Sequence, residues 1–159
     1  MAKKLNSMRL LDTQGVRYEA LPFPDTIHSA IDVATYCGLP LAHIYKTLVV
    51  VLSQGKPALV LVAGDREMQL KRLAQALGEK KLRMATQKEA EEWTGLQVGG
   101  ISALALSHRG FPVYIDCAAA ALEEIIVSAG QRGMDVRLTV ADLVRVTGAA
   151  FVEATTPPA

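Results

Sequence analysis

The sequence contains few thiols and no long apolar run. Only two of its 159 residues are cysteines, Cys37 and Cys117, and they stand far apart. Such sparse cysteines favour reduced thiols in the cytoplasm over the disulfides of a secreted protein. The N-terminal residues lack the apolar stretch of a signal peptide, and no apolar run elsewhere is long enough to span a membrane. We therefore expect a cytoplasmic protein with no membrane partner.

Several short motifs of common enzymes are missing as well. The chain has no GxSxG elbow, no Walker loop and no GxGxxG turn, which are the usual local signals of serine hydrolases, NTPases and dinucleotide enzymes. The histidines His28, His43 and His108 are widely separated, and none has a second histidine or a cysteine at a metal-ligand spacing. The sequence therefore predicts no metal site.

No excess of one charge is present, since 17 Lys+Arg face 16 Asp+Glu. A nucleic-acid partner would therefore have to be held by a local patch. Residues 65–83 offer one, because they carry six positive and three negative charges; the positive ones are Arg66, Lys71, Arg72, Lys80, Lys81 and Arg83. Such a surface can hold a phosphate backbone without reading sequence, although most charged helix faces are simply solvated.

The apolar residues, half of the chain, suffice for one core, and we expect a single domain over residues 1–154. Helices are predicted at 5–15, 29–38, 65–78, 86–95 and 139–148, each ending at a glycine. Strands are predicted at 16–21, 44–52, 57–62, 81–84, 98–101, 112–115, 125–128, 136–138 and 151–153. Hairpins mixed with helices indicate an α+β domain with a mixed, mostly antiparallel sheet and helices outside it. Residues 155–159, with two prolines, are expected to form a disordered tail.

Three places in the chain are candidates for chemistry. Lys46 stands just before the apolar run 48–52. It is either an ammonium held toward a ligand or a lysine at a strand end that reaches water. The pair at residues 99–100 permits either a bulge or a backbone close to a ligand, and the loop 129–133 has the same two interpretations. Ser102 has no evident base beside it, so a structural or substrate-contacting role is favoured over a nucleophile.

Four segments together resemble the YbaK/EbsC family of aminoacyl-tRNA deacylases, in the right order and over about residues 5–150. They are residues 44–50, 62–74, 94–102 and 126–133. The resemblance extends to the editing insertion of bacterial prolyl-tRNA synthetases. It implies a mixed sheet or partial barrel surrounded by helices, and an enzyme that clears mischarged aminoacyl-tRNA, such as Cys-tRNA or Ala-tRNA for proline. It implies no metal or organic cofactor, and it makes a synthetase such as prolyl-tRNA synthetase a candidate second partner.

The resemblance also implies which residues act. Catalytic positions are Lys46, Gly99, Gly100 and Ile101; substrate-binding positions are Phe23, Thr47, Ser102, Gly130 and Asp135. With a tRNA as the substrate, the local charge excess makes Arg66, Lys71, Arg72 and Lys80 the tRNA-binding positions. These last four are named the basic patch below. An aminoacyl ester is already activated, so backbone N–H groups of the glycine turns can stabilise the oxyanion. The nucleophile is water or a vicinal ribose hydroxyl, or the substrate's own thiol if the amino acid is cysteine. The lysine would anchor the terminal phosphate or polarise the ester.

Three residues depart from the family's pattern. Ala103 replaces a proline, Ala129 replaces a glycine and Phe23 replaces a tyrosine, so that one fixed φ is lost, one methyl is added and one hydroxyl is removed. These changes bear on which amino acid is cleared. They also leave open an inactive tRNA- or synthetase-binding module of the same fold, and a small-molecule binding domain that uses the same pocket.

Overall fold

Two β-sheets form the framework of the structure, a computed structural model that describes residues 4–158. In chain order the strands are β1 (Glu19–Pro22), β2 (Tyr45–Val51), β3 (Pro57–Ala63), β4 (Arg83–Met84), β5 (Val113–Asp116), β6 (Glu124–Gln131), β7 (Met134–Thr139) and β8 (Ala150–Val152). One sheet is antiparallel with the order β1-β7-β6. The other has the order β4-β2-β3-β5-β8, in which β3, β5 and β8 run parallel. A bridge between Ile44 and Ile126 connects them. The predicted α+β fold is confirmed, and the sheets do not close into a barrel.

Five α-helices pack outside the sheets in the part of the chain that the structure describes: α1 (Asn6–Thr13), α2 (Ala30–Cys37), α3 (Leu70–Leu77), α4 (Gln87–Thr94) and α5 (Val140–Thr147). The predicted capping box is present, because the Thr86 hydroxyl accepts from the Glu89 N–H and the Glu89 carboxylate accepts from the Thr86 N–H. Helices α2 to α5 each end at a left-handed glycine, as their sequences predict. None of these helices is long and apolar enough to cross a membrane.

Both faces of the five-stranded sheet are buried. Side chains alternate between these faces along each strand, so neighbouring residues belong to different cores. Leu59 and Leu61 of β3 join the larger core, which lies between the two sheets. Val60 and Val62 point to the opposite face and pack with Leu73 of α3. Helix α3 therefore covers the outer face of this sheet, which decides where its charged side chains lie.

Helix α3 begins at Leu70, and the predicted start at Asp65 is wrong. The residues between them are held by other backbone groups. The Arg66 N–H donates to the Ala63 carbonyl at 3.1 Å, which closes a turn, and the Gln69 N–H donates to the Ala154 carbonyl at 2.7 Å. The C-terminal segment thus takes up hydrogen bonds that a longer helix would have used.

The predicted strand at 98–101 is also wrong, because these residues form a turn followed by a loop. The predicted disordered tail begins too early. Thr155 is buried, and its N–H and hydroxyl donate to the carboxylate of Asp116 at 3.1 and 2.8 Å. Residues 156–158 are exposed. The ordered C-terminal segment therefore extends through Thr155.

Candidate functional site

A pocket of about 350 Å³ lies beside the bridge that connects the two sheets. It opens at the start of β2, because β4 pairs with β2 only at Val50 and Val51 and leaves the earlier edge without a neighbouring strand on that side. Its wall includes residues of both sheets, of the segment before α2 and of the turn at Gly99. Predicted site residues in this wall are Phe23, Lys46, Thr47, Gly99, Ile101 and Asp135. The fold thus brings together residues more than a hundred positions apart in sequence.

Strand β2 contributes to the pocket from both of its faces. Tyr45 is buried in the core, so alternation turns Lys46 to the outer face of the sheet, the face that α3 covers. Lys46 is exposed and forms no ion pair with any residue from 4 to 158. On the inner face, the Thr47 hydroxyl is buried and has no hydrogen-bond partner among these residues. One free cation and one free hydroxyl therefore reach the same pocket.

Asp135 is a buried residue of the pocket wall, 6% exposed. It lies on β7 directly across from Ser128 of β6, which also lines the pocket. Within residues 4–158 its side chain accepts no hydrogen bond and joins no ion pair. Burial alone raises the pKa of Asp135 from 3.8 to about 7. The thiol of Cys37 is close enough for the Asp135 charge to contribute, after burial, to its raised pKa. A cation entering the pocket would find an uncompensated carboxyl here.

The turn at Gly99 is packed between two neighbours. Gly99 has φ +94°, and a Cβ added there would lie 2.6 Å from the Cβ of His28. A Cβ at Gly100 would lie 2.9 Å from the Arg132 backbone nitrogen. The glycine pair is therefore not a bulge in a strand. It allows the backbone to approach His28 and Arg132 of the same chain closely.

The backbone donors of this turn are not equivalent. The Gly100 N–H is already used, since it donates to the Gln97 carbonyl at 2.8 Å. The N–H groups of Gly99 and Ile101 donate no hydrogen bond within the described residues. Both residues line the pocket. Of the three predicted catalytic residues in the turn, Gly99 and Ile101 are thus the ones with a free donor.

Gly100, Ser102 and Gly130 lie outside the pocket wall. Ser102 is fully buried, and its hydroxyl accepts from the Ala105 N–H at 3.1 Å. Gly130 has φ +116°, and an added Cβ would lie 3.0 Å from the Cβ of Ala105. These residues support the wall from behind, so their position favours the structural interpretation of Ser102 over contact with a substrate.

The basic patch also lies outside the pocket. Lys71 and Arg72 are exposed on α3, with Arg72 3.5 Å from Glu153, and Lys80 is exposed beyond the helix. Arg66 is half-buried and donates to the Thr155 hydroxyl at 3.3 Å, so it is less available than predicted. Because α3 and Lys46 share the outer face of the sheet, the exposed part of the patch lies on the same side of the sheet as Lys46.

Helix α2 and the segment before it also contribute to the pocket, which the sequence pattern does not indicate. His28, Ser29, Ile31 and Val33 all line the pocket. A Cβ at Gly64 would lie 2.8 Å from that of Ala30, so this glycine allows α2 to pack at the end of β3. Ser29 was recognisable as a helix cap, but nothing in the local pattern indicates which strand the helix covers.

Comparison with known proteins finds similarity to aminoacyl-tRNA editing domains and to proline–tRNA ligases. A family model described as aminoacyl-tRNA editing domain matches residues 25–146. The chain is 36% identical to EbsC of Enterococcus faecalis, to which Cys-tRNA(Pro)/Cys-tRNA(Cys) deacylase activity is ascribed, over 97% of this chain and 94% of that protein. It is 30% identical to a proline–tRNA ligase of Sulfurihydrogenibium sp. over 82% of this chain, which spans 22% of the ligase. A solved structure described as a trans-editing enzyme for prolyl-tRNA synthetase superposes with a TM-score of 0.80 and 26% identity, over 98% of this chain and 100% of that one.

Proposed function

The chain belongs to the aminoacyl-tRNA editing domain family, and we propose that it is an aminoacyl-tRNA deacylase that acts in trans on tRNA carrying the wrong amino acid. The observation that carries this proposal is the content of the pocket: the free cation of Lys46, the uncompensated carboxyl of Asp135, and the free N–H groups of Gly99 and Ile101. These groups are complementary to the end of a charged tRNA. The cation suits the phosphate, the carboxyl suits the α-ammonium of the amino acid, and the N–H donors suit the ester carbonyl between them.

Each group then has a role. The ammonium of the substrate pairs with Asp135, and the arriving positive charge lowers the pKa of that carboxyl and ionises it. The N–H groups of Gly99 and Ile101 stabilise the oxyanion, and removal of one such donor typically costs about a hundredfold or more in rate. Lys46 anchors the phosphate of the terminal adenosine or polarises the ester. Water is the nucleophile, so the site needs no catalytic serine.

The nature of its relatives favours Cys-tRNA(Pro) or Ala-tRNA(Pro) as the substrate. A cysteinyl substrate allows a second route, in which its own thiol attacks the carbonyl. A carbon–sulfur bond then forms, the ester carbon–oxygen bond breaks, and the thiol proton passes to the ribose oxygen. The product is a cyclised cysteine, and this step is formally lyase-like. Phe23 lines the pocket and lacks the hydroxyl that the family's tyrosine would supply at this position.

The tRNA itself would be held by the exposed cations of α3, on the side of the sheet where Lys46 lies. Lys71 and Arg72 contact the phosphate backbone in this arrangement and read no base, so cognate choice has to come from elsewhere. A synthetase such as prolyl-tRNA synthetase is the natural source, because it has already selected the tRNA.

Incubation of the protein with a panel of charged tRNAs tests the proposal. Release of the amino acid from mischarged tRNA is the expected result. Binding without release would show that the chain is a tRNA-binding module, and the absence of both would favour a small-molecule binding domain. Analysis of the product from Cys-tRNA separates the two routes, because hydrolysis gives free cysteine directly and thiol attack gives a cyclic thioester first.

A further inference from the structure

Two exposed apolar side chains belong to the wall of the pocket. Among residues 4–158, five large hydrophobic residues are exposed: Ile31, Tyr36, Met84, Val98 and Phe151. Two of them, Ile31 and Val98, line the pocket. Scattered single apolar residues need no explanation, but apolar groups gathered at the entrance of a binding pocket indicate a contact with a ligand.

His28 connects these two residues into one surface, named the rim below. His28 directly precedes the Ser29 cap of α2, and Ile31 is in the first turn of that helix. On the other side, His28 lies against Gly99, which adjoins Val98. His28 is an exposed residue, and the rim consists of His28, Ile31 and Val98, all of which line the pocket.

The rim is held rigidly although its side chains are exposed. The Val98 N–H donates to the carboxylate of Glu91 at 2.8 Å, and the Val98 carbonyl accepts from Nε of Arg132 at 2.7 Å. The other half is fixed by the N-cap, where the Ser29 hydroxyl accepts from the Asp32 N–H at 3.1 Å. A preformed apolar surface loses little conformational entropy when a flat ligand covers it.

We propose that the rim binds the terminal adenine base of the charged tRNA, with Ile31 and Val98 against the faces or edges of the base and the His28 ring available to stack. This inference rests on the proposed function, since it follows the substrate outward from its ester. With the acyl group beside Asp135 and Gly99, the ribose reaches the mouth, and the base is the first group beyond it. A purine has large apolar faces, for which aliphatic side chains and an imidazole are suitable partners.

The test compares two apolar residues of one helix. Ile31 is 63% exposed and belongs to the rim, whereas Tyr36 is 60% exposed and does not line the pocket. Deacylation of mischarged tRNA is measured for the wild type, Ile31→Ser, Val98→Ser and Tyr36→Ser, with adenosine monophosphate and cytidine monophosphate as competing inhibitors. In the wild type the adenine nucleotide should inhibit more strongly.

The two rim substitutions should raise KM for tRNA and the inhibition constant of adenosine monophosphate together, by about tenfold, whereas Tyr36→Ser should change neither. Equal inhibition by both nucleotides, or equal effects of Ile31→Ser and Tyr36→Ser, would overturn the adenine site while the deacylase function stands. If the wild type releases no amino acid, the proposed function fails. Direct titration with adenosine monophosphate then decides the rim separately: binding weakened by Ile31→Ser supports it, and no binding overturns it.

Discussion

Replacement of Asp135 by asparagine should make the protein more stable at neutral pH and above. Asparagine has nearly the same shape but never ionises. The Asp135 carboxyl is 6% exposed, and burial raises its pKa from 3.8 to about 7. Between these two values the folded protein retains a proton that the unfolded chain has released. The free energy of unfolding of the wild type therefore falls as pH rises through this window and levels off above about 7.

The size of the effect follows from the same pKa values. A rise from 3.8 to about 7 corresponds to at most about 4 kcal/mol, and opening of the carboxyl toward the pocket will reduce it. Below pH 4 the two proteins should be similarly stable. Above pH 7 the variant should exceed the wild type by up to several kcal/mol, yet lose deacylation because the substrate ammonium has lost its charged partner.

Denaturant unfolding of both proteins between pH 4 and pH 8 measures the difference in stability between them, and this difference isolates Asp135 from the other ionisable groups of the protein. Asp116 provides a matched control, because it is also buried but its carboxylate accepts four hydrogen bonds, from Ala118, Ala154 and Thr155. Asp116→Asn should therefore destabilise the protein, by about 1–3 kcal/mol. Parallel pH curves for the wild type and Asp135→Asn would show that folding does not change the pKa of this carboxyl.

Three further substitutions are predicted. Gly99→Ala, which adds a methyl 2.6 Å from a neighbouring Cβ, should cost about 1–3 kcal/mol in denaturant unfolding and most of the deacylation rate, whereas Gly78→Ala, with φ +68° and open space around it, should cost less and leave the rate unchanged. Lys46→Ala should change stability by less than about 1 kcal/mol but lower deacylation at least about tenfold; full activity would remove Lys46 from the mechanism. Rescue by Lys46→Arg would favour phosphate anchoring over a close role at the ester. Lys71→Glu with Arg72→Glu should weaken binding of all tRNAs and reduce its salt dependence, and an unchanged salt slope would place the tRNA elsewhere.

Local patterns predicted most of the elements of this fold. The hairpin of β2 and β3, the capping box at Thr86 and the glycine that ends each of the later helices all depend on neighbours within a few residues, which a sequence displays directly. The errors arose where distant segments compete for the same backbone groups. The Gln69 N–H bonds the Ala154 carbonyl, and so the start of α3 is set by the C-terminal segment.

The same distinction applies to the pocket. Lys46, Gly99 and Asp135 could be named from their resemblance to a family, but which N–H groups of the glycine turn are free could not. That depends on the tight turn from Gln97 to Gly100. No local sequence pattern places His28 and Ile31 in the pocket wall. Their positions there result from the packing of α2 against Gly64 and of His28 against Gly99.

Whether this chain removes the wrong amino acid from tRNA is decided by the ratio of two deacylation rates under the same conditions. Cys-tRNA(Pro) or Ala-tRNA(Pro) is compared with correctly charged Pro-tRNA(Pro) at equal enzyme and substrate concentrations. An editing enzyme should release the mischarged amino acid at least about tenfold faster, the factor that corresponds to a difference of ~1.4 kcal/mol in transition-state binding. Equal release of proline, or no release from any charged tRNA, would show that the chain does not edit mischarged tRNA.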